Sequence, residues 1–194
     1  CLLLPLMPMG FSPKPTRRQL RFCAELGLVL GTLHFSLMFA GLYWGLDIAS
    51  ATVVAQLGVP FACLFSAWFL GDRLGKWRML GLAVAFSGVV IVAGTPQALS
   101  HLLGFSAAVL GALAFGIASV RMKQMGDMAI FSFLGCMAAF AAPMLFALSA
   151  LIERPAWESL WPVPLPLIAA LSFTVICSTL MGHGIWYGLV KRYP

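Results

Sequence analysis

Six long, nearly uncharged apolar runs are the feature that most constrains the fold of this chain. They cover roughly residues 24–45, 49–71, 77–94, 102–120, 128–152 and 166–190. An α-helix of about 20 residues crosses the hydrocarbon core of a bilayer, which is about 30 Å thick. Continuous runs predict helices rather than barrel strands, because barrel strands are shorter and alternate in polarity. The predicted fold class is all-α, a polytopic transmembrane helical bundle.

The composition excludes most soluble classes of protein. Of the 194 residues, 61% are hydrophobic and 9% are charged, whereas a soluble domain has about 25% charged residues. Disorder is excluded for the same reason. The net charge of +6 does not indicate nucleic acid, because basic residues in an apolar chain commonly flank membrane spans.

The charged residues predict the orientation of the spans. If successive spans alternate in direction, eleven of the twelve Lys and Arg residues fall on one side, and only Arg154 falls on the other. The basic side is predicted to be cytoplasmic. Its segments are residues 13–21, 71–78, 121–127 and 191–192.

The first residues indicate how much of the protein this chain contains. The opening run of residues 1–9 is too short to cross a bilayer and has no basic segment before it, so it is interpreted as the tail of a span cut off upstream. The chain is therefore expected to be a fragment.

The five cysteines are scattered singly along the chain. This pattern indicates neither a disulfide framework nor a metal site, and no cofactor is expected.

An internal repeat links two of the runs. Residues 37–46 (LMFAGLYWGL) match residues 180–189 (LMGHGIWYGL) at five of ten positions, and two more positions pair aromatic residues. The first copy leads into Asp47 on the outer side, and the second leads into Lys191 and Arg192 on the inner side. The two copies are therefore predicted to cross the membrane in opposite directions, as in the inverted repeats of secondary transporters.

These residues carry a resemblance to a known family. The stretch 51–94, with Pro60 inside a helix, the junction Gly71-Asp72-Arg73-Leu74 and a glycine-spaced helix after it, resembles the EamA repeat of the drug/metabolite transporter superfamily. Asp72 stands where Glu is the commoner choice. The resemblance implies ten helices in two inverted five-helix repeats, of which this chain would hold the end of helix 2 and helices 3 to 8. The implied domains are 1–94, the C-terminal part of the first repeat, and 102–194, the N-terminal part of the second.

Polar side chains inside spans are the candidate site residues, because they are costly unless they face the bundle interior. His34 and His183 either line a central cavity and carry protons, or are neutral and bonded to a neighbouring helix. Gln56, one turn after Thr52 and one turn before Pro60, either binds a small zwitterionic or amide-bearing metabolite or bonds to another helix. Trp186 either contacts the solute or is an interfacial anchor. No catalytic residue is assigned.

The predicted function is secondary transport, with the substrate class taken from the family resemblance. The chain is expected to export small metabolites or amino-acid-like solutes by alternating access, as a multi-pass protein of the inner (plasma) membrane. Its expected partners are the lipid bilayer, a small-molecule solute, and protons or another coupling ion; a homodimer is a further candidate. The alternatives are a membrane-embedded enzyme acting on lipid headgroups and a non-transporting scaffold subunit.

Overall fold

The computed structural model describes residues 16–124, 128, 130–152, 163–183, 185 and 189. All regular secondary structure in these residues is helical, which confirms the all-α fold class. The α-helices are α1 Arg17–Leu26, α2 Phe35–Tyr43, α3 Ile48–Ala55, α4 Gly58–Leu70, α5 Lys76–Ala93, α6 Pro96–Ser100, α7 Leu102–Met122, α8 Ile130–Ile152 and α9 Leu165–Phe173. Wider π-helical turns form Gly27–His34, between α1 and α2, and Thr174–His183, after α9.

Five of the six predicted spans are confirmed as helices of sufficient length and apolarity to cross a membrane. In the described residues they are Arg17–Tyr43, Ile48–Leu70, Lys76–Ala93, Leu102–Met122 and Ser132–Ile152. The sixth predicted span begins as α9 and its π-helical continuation. Most of its last residues, 184–190, lie outside the described part of the chain. The protein is a polytopic helical membrane protein.

The chain divides into two compact units, Leu28–Gln124 and Cys1–Gly27 with Met125–Pro194. In the first unit α7 is central and packs against α2, α3 and α4. Small residues on α7 permit this packing, since Ala108 and Ala112 are completely buried. Gly104 approaches α2 so closely that a Cβ atom there would lie 2.7 Å from the carbonyl oxygen of Gly41. This approach of two backbones explains why glycine occupies both positions.

A second row of small residues, on α5, has the spacing that permits close packing of helices. It consists of Gly81, Ala85 and Gly88. A Cβ atom added at Gly81 or Gly88 would have no neighbour within 4 Å among the described residues. Close packing along this row is therefore not seen in the part of the chain that the structure describes.

Contacts between the connections show that successive spans of this unit alternate in direction. The turn after α4 meets the end of α7, where Lys123 bonds to Asp72. At the opposite ends of these helices, Gly45 (φ +91°) lies against His101, whose ring a Cβ atom on Gly45 would approach to 2.5 Å. The two predicted cytoplasmic connections of this unit therefore lie at one end, and the two predicted outer connections lie at the other.

Asp47 defines the start of α3. Its carboxylate accepts a hydrogen bond from the Ser50 backbone N–H at 2.9 Å, as a helix N-cap residue does. Hydrogen bonding to the Ser50 side chain, followed by this bond to the Ser50 backbone, lowers the pKa of the Asp47 carboxyl.

In the second unit α1 packs against α8. Thr16 begins α1 with a capping box, in which its side chain and that of Gln19 each accept a hydrogen bond from the other residue's backbone N–H. The rings of Phe22 and Phe133 lie 6.1 Å apart between the two helices. Gly27 sits so close to α8 that a Cβ atom there would lie 3.0 Å from the carbonyl oxygen of Met137.

Candidate functional site

His34 links the first span to the centre of α7. Its Nδ1 lies 2.9 Å from the carbonyl oxygen of Gly111. A carbonyl oxygen only accepts hydrogen bonds, so Nδ1 carries a hydrogen and donates it. The neutral ring then has its hydrogen on Nδ1, and an added proton would go to Nε2. This is the interhelical bond to a backbone carbonyl that one of the two sequence interpretations of His34 predicts.

Gly111 permits the close approach between α7 and the helical segment that contains His34. A Cβ atom at this position would lie 3.2 Å from the carbonyl oxygen of His34 and equally close to the Met38 side chain. Glycine therefore lets the two helices approach to hydrogen-bonding distance.

The ring of Phe115 lies one turn along α7 and joins His34 to α4. The two ring centroids are 5.4 Å apart. On its other side Phe115 lies against Gly58, where a Cβ atom would come 2.6 Å from the ring. Since His34 and the start of α4 contact the same ring, three helices meet around Phe115.

The second span is interrupted where it reaches this ring. α3 ends at Ala55 and α4 begins at Gly58, and between them Gln56 and Leu57 donate to carbonyls only three residues earlier, at 3.2 and 3.0 Å. Pro60 has no N–H to give to the Gln56 carbonyl, which accepts instead from Val59 at 3.3 Å. The break between α3 and α4 is therefore one tightened turn, a few residues before Pro60.

The Gln56 side chain does not enter the core of this unit. Gln56 and Thr52 are both exposed, whereas Pro60 is buried, so the three residues do not form one continuous face. The Thr52 hydroxyl donates to the carbonyl oxygen of Ile48 at 2.7 Å and is satisfied within its own helix.

A second polar group lies two positions after His34 in the chain. The Ser36 hydroxyl oxygen is buried and has no hydrogen-bond partner among the described residues. His34, Gly58 and Gly111 all lie near the middle of their spans, the depth at which transporters of inverted-repeat architecture bind substrate.

The other two predicted site residues are not brought into this cluster by the described structure. The backbone of His183 ends the second π-helical stretch, and its side chain is outside the described residues. Trp186 also lies outside them.

A polar cluster at the predicted cytoplasmic end escaped the sequence analysis. The Lys123 ammonium lies 3.3 Å from Asp72 Oδ2 and 3.2 Å from the hydroxyl oxygen of Ser66. The Ser66 hydroxyl in turn donates to the Asp72 carboxylate. Sequence reasoning placed Asp72 within the charged turn of residues 72–78, whereas its closest basic partner is 51 positions away.

This cluster stabilises the ionised form of Asp72. The hydrogen bond from Ser66, followed by the hydrogen bond and positive charge of Lys123, lowers the pKa of the Asp72 carboxyl. The prediction that residues 71–78 and 121–127 share one side of the membrane already placed these groups together. It did not identify the pair.

The chain is similar to a protein family over its first 94 residues and to two individual proteins over 175 residues. Residues 1–94 match the EamA-like transporter family. Over 175 residues the chain is 24% identical to a protein of Escherichia coli (strain K12) described as "Probable amino-acid metabolite efflux pump", and equally to one of Salmonella typhimurium with the same description. Each alignment covers 86% of this chain and 58% of the relative.

The chain thus spans less than two thirds of the length of these two relatives. No solved structure matches it significantly. The family match includes the helix break, Asp72 and all of α5. Over residues 1–94, just under half of its length, the chain is similar to the EamA-like transporter family.

Proposed function

We propose that the protein is a secondary transporter of the inner membrane that exports small, amino-acid-like metabolites. The observation that carries this proposal is the similarity over 175 residues to two proteins described as amino-acid metabolite efflux pumps. The similarity of residues 1–94 to a transporter family supports the same activity. Transport requires no catalytic cluster, and none is assigned.

The mid-span cluster around Phe115 is the proposed solute site. An amino-acid-like solute presents a carboxylate and an ammonium group, which need donors and acceptors inside the membrane. Gln56 supplies an amide that projects from the core of its unit. Ser36 supplies a buried hydroxyl, and the interrupted helix at residues 56–58 supplies backbone groups outside a regular α-helical ladder.

Alternating access is the proposed mechanism. The inverted sequence repeat predicts two halves of opposite orientation that rock about a mid-membrane site. His34 is the proposed proton carrier for coupling. Since its Nδ1 hydrogen is held by Gly111, the exchanged proton would bind at Nε2. His183 and Trp186, on the second copy of the repeat, are also proposed to contact the solute.

Transport by purified protein in liposomes tests the proposal. Loaded vesicles should release radiolabelled amino acids faster than protein-free vesicles, and Gln56→Leu should reduce this rate about tenfold or more, because one good hydrogen bond to a charged solute contributes about 1.5–3 kcal/mol. Thr52→Val is the matched control, since the Thr52 hydroxyl already bonds within its own helix. Its rate should equal that of the parent.

Two results would contradict the proposal. Consumption of lipid headgroups without solute movement would indicate an enzyme. Amino-acid release no faster than from protein-free vesicles, by protein that is folded and inserted, would favour a scaffold role.

A further inference from the structure

Three sulfur atoms from distant positions meet in the unit formed by α1 and α8. The Cys23 sulfur lies 3.9 Å from the Met128 sulfur, and the Cys23 thiol also interacts with the thiol of Cys136. Both cysteines are free of disulfide bonds and fully buried, and Met128 is 4% exposed. No proposed transport step uses these side chains.

The types of these ligands identify the ion that they would hold. His, Cys, Asp and Glu side chains alone form no group of three suited to a metal ion in the described residues, so the third ligand here is a thioether. Two thiolates and a thioether form a soft ligand set, which favours Cu(I) over Zn²⁺ or the hard cations. We infer that Cys23, Met128 and Cys136 form a binding site for Cu(I).

The spacing of the sulfurs fits three-coordinate binding. With metal–sulfur bonds of about 2.3 Å, two ligands of a trigonal site lie about 4 Å apart. The observed separation of Cys23 and Met128 is 3.9 Å. The Cys23 and Met128 sulfurs are therefore already at nearly the separation that such an ion requires.

A buried hydroxyl beside the cluster provides an independent observation. Ser132 is 1% exposed, and its oxygen has no hydrogen-bond partner among the described residues. It lies four positions before Cys136 on α8, which places the two side chains on one face of the helix. When the cysteines are ionised, the Ser132 hydroxyl can donate to a thiolate and acquire its missing partner.

The binding step balances as an exchange of protons for metal. Two thiols release two protons to solvent, and Cu(I) binds the two resulting thiolates and the neutral thioether, which leaves one net negative charge at the site. The neighbouring α8 residues Phe133 and Leu134 are apolar and buried. Such an environment excludes water and increases the benefit of the Ser132 hydrogen bond.

Anaerobic titration of the reduced, purified protein with Cu(I) against a chromogenic Cu(I) chelator tests the inference. We expect one tightly held ion per chain and release of two protons. Cys23→Ser and Cys136→Ser should weaken binding by at least about 100-fold, and Ser132→Ala by about tenfold. Cys63→Ser is the matched control, because Cys63 lies on α4 in the other unit, and its affinity should equal that of the parent.

X-ray absorption of the parent protein keeps the test independent of how the variants fold. Three sulfur neighbours around copper, reduced to two in Met128→Leu, would support the site. A shell of nitrogen or oxygen neighbours would overturn it, as would unchanged affinity in a folded Cys23→Ser protein. Absence of tight binding to the reduced parent would also overturn the inference, without bearing on amino-acid transport.

Discussion

Lys123 and Asp72 form an ion pair of 3.3 Å between the end of α7 and the turn that follows α4. About a third of the Lys123 side chain and two fifths of the Asp72 side chain are exposed, so solvent screens the pair and its direct contribution to stability is small. Its structural consequence is larger, because it joins the ends of two helices that pack along their length.

The pair makes stability depend on pH in a defined direction. The pKa of Asp72 is lowered in the folded protein, so the stabilisation is fully present above the unfolded pKa of about 3.9 and is lost as pH falls through the folded value. We expect Lys123→Met to lower the melting temperature in detergent by a few degrees at most at pH 7. The difference from the parent should diminish once the pH falls below about 4. Lys76→Met removes an equal charge from an exposed position on α5 and should have no such effect; equal losses in the two variants would contradict a specific pair.

The alternation of span direction can be tested by thiol labelling in intact cells. Single cysteines would be introduced at Arg73, in the turn bonded to Lys123, and at Ser100, in the connection beside Gly45, after replacement of the natural cysteines. We expect an impermeant thiol reagent to label the Ser100→Cys protein in intact cells and the Arg73→Cys protein only after the membrane is opened. Labelling of both from one side would contradict the topology.

Glycine packing gives a prediction with a control inside the same unit. At Gly104 a methyl group would lie 2.7 Å from a backbone oxygen of α2, so Gly104→Ala must separate the two helices, at an expected cost of about 1–3 kcal/mol. Gly81→Ala adds the same methyl group to α5, where nothing lies within 4 Å. It should be neutral or slightly stabilising, because alanine favours helix. Thermal unfolding of both variants in one detergent would measure the difference, and comparable losses would contradict the described packing.

The sequence predicted the spans well because apolar length is a local property. Five of the six predicted runs form helices of spanning length, and the turns at Gly45 and Gly71 coincide with glycines of positive φ. Side-chain partners were predicted less well, since they depend on which helices pack together. Periodicity placed His34 in mid-span but gave no means of choosing Gly111, 77 positions away.

The same limit applies to the sulfur cluster and to the small-residue rows. Cys23 and Cys136 appeared isolated because no short spacing joins them, and only the packing of α1 on α8 brings them together. The rows on α5 and α7 have similar sequences, yet only α7 is surrounded by other helices of its unit. Composition alone does not distinguish a central helix from a peripheral one in an apolar chain.

His34 offers the sharpest test of the mid-span site, because its two nitrogens can be replaced separately. Asparagine places an amide N–H near the position of Nδ1 and can keep the bond to Gly111, but it cannot take up a proton. His34→Asn should therefore retain the parent's melting temperature. In His34→Leu the interhelical hydrogen bond is lost, and the free energy of unfolding should fall by about 1 kcal/mol. If His34 carries the coupled proton, His34→Asn should also abolish the change of amino-acid flux with pH between about 5 and 8. Flux and thermal unfolding measured on the same liposome and detergent preparations would separate the two roles. If amino-acid flux through His34→Asn keeps the parent's pH profile while His34→Leu is less stable, His34 only links two helices. Another group would then carry the coupled proton.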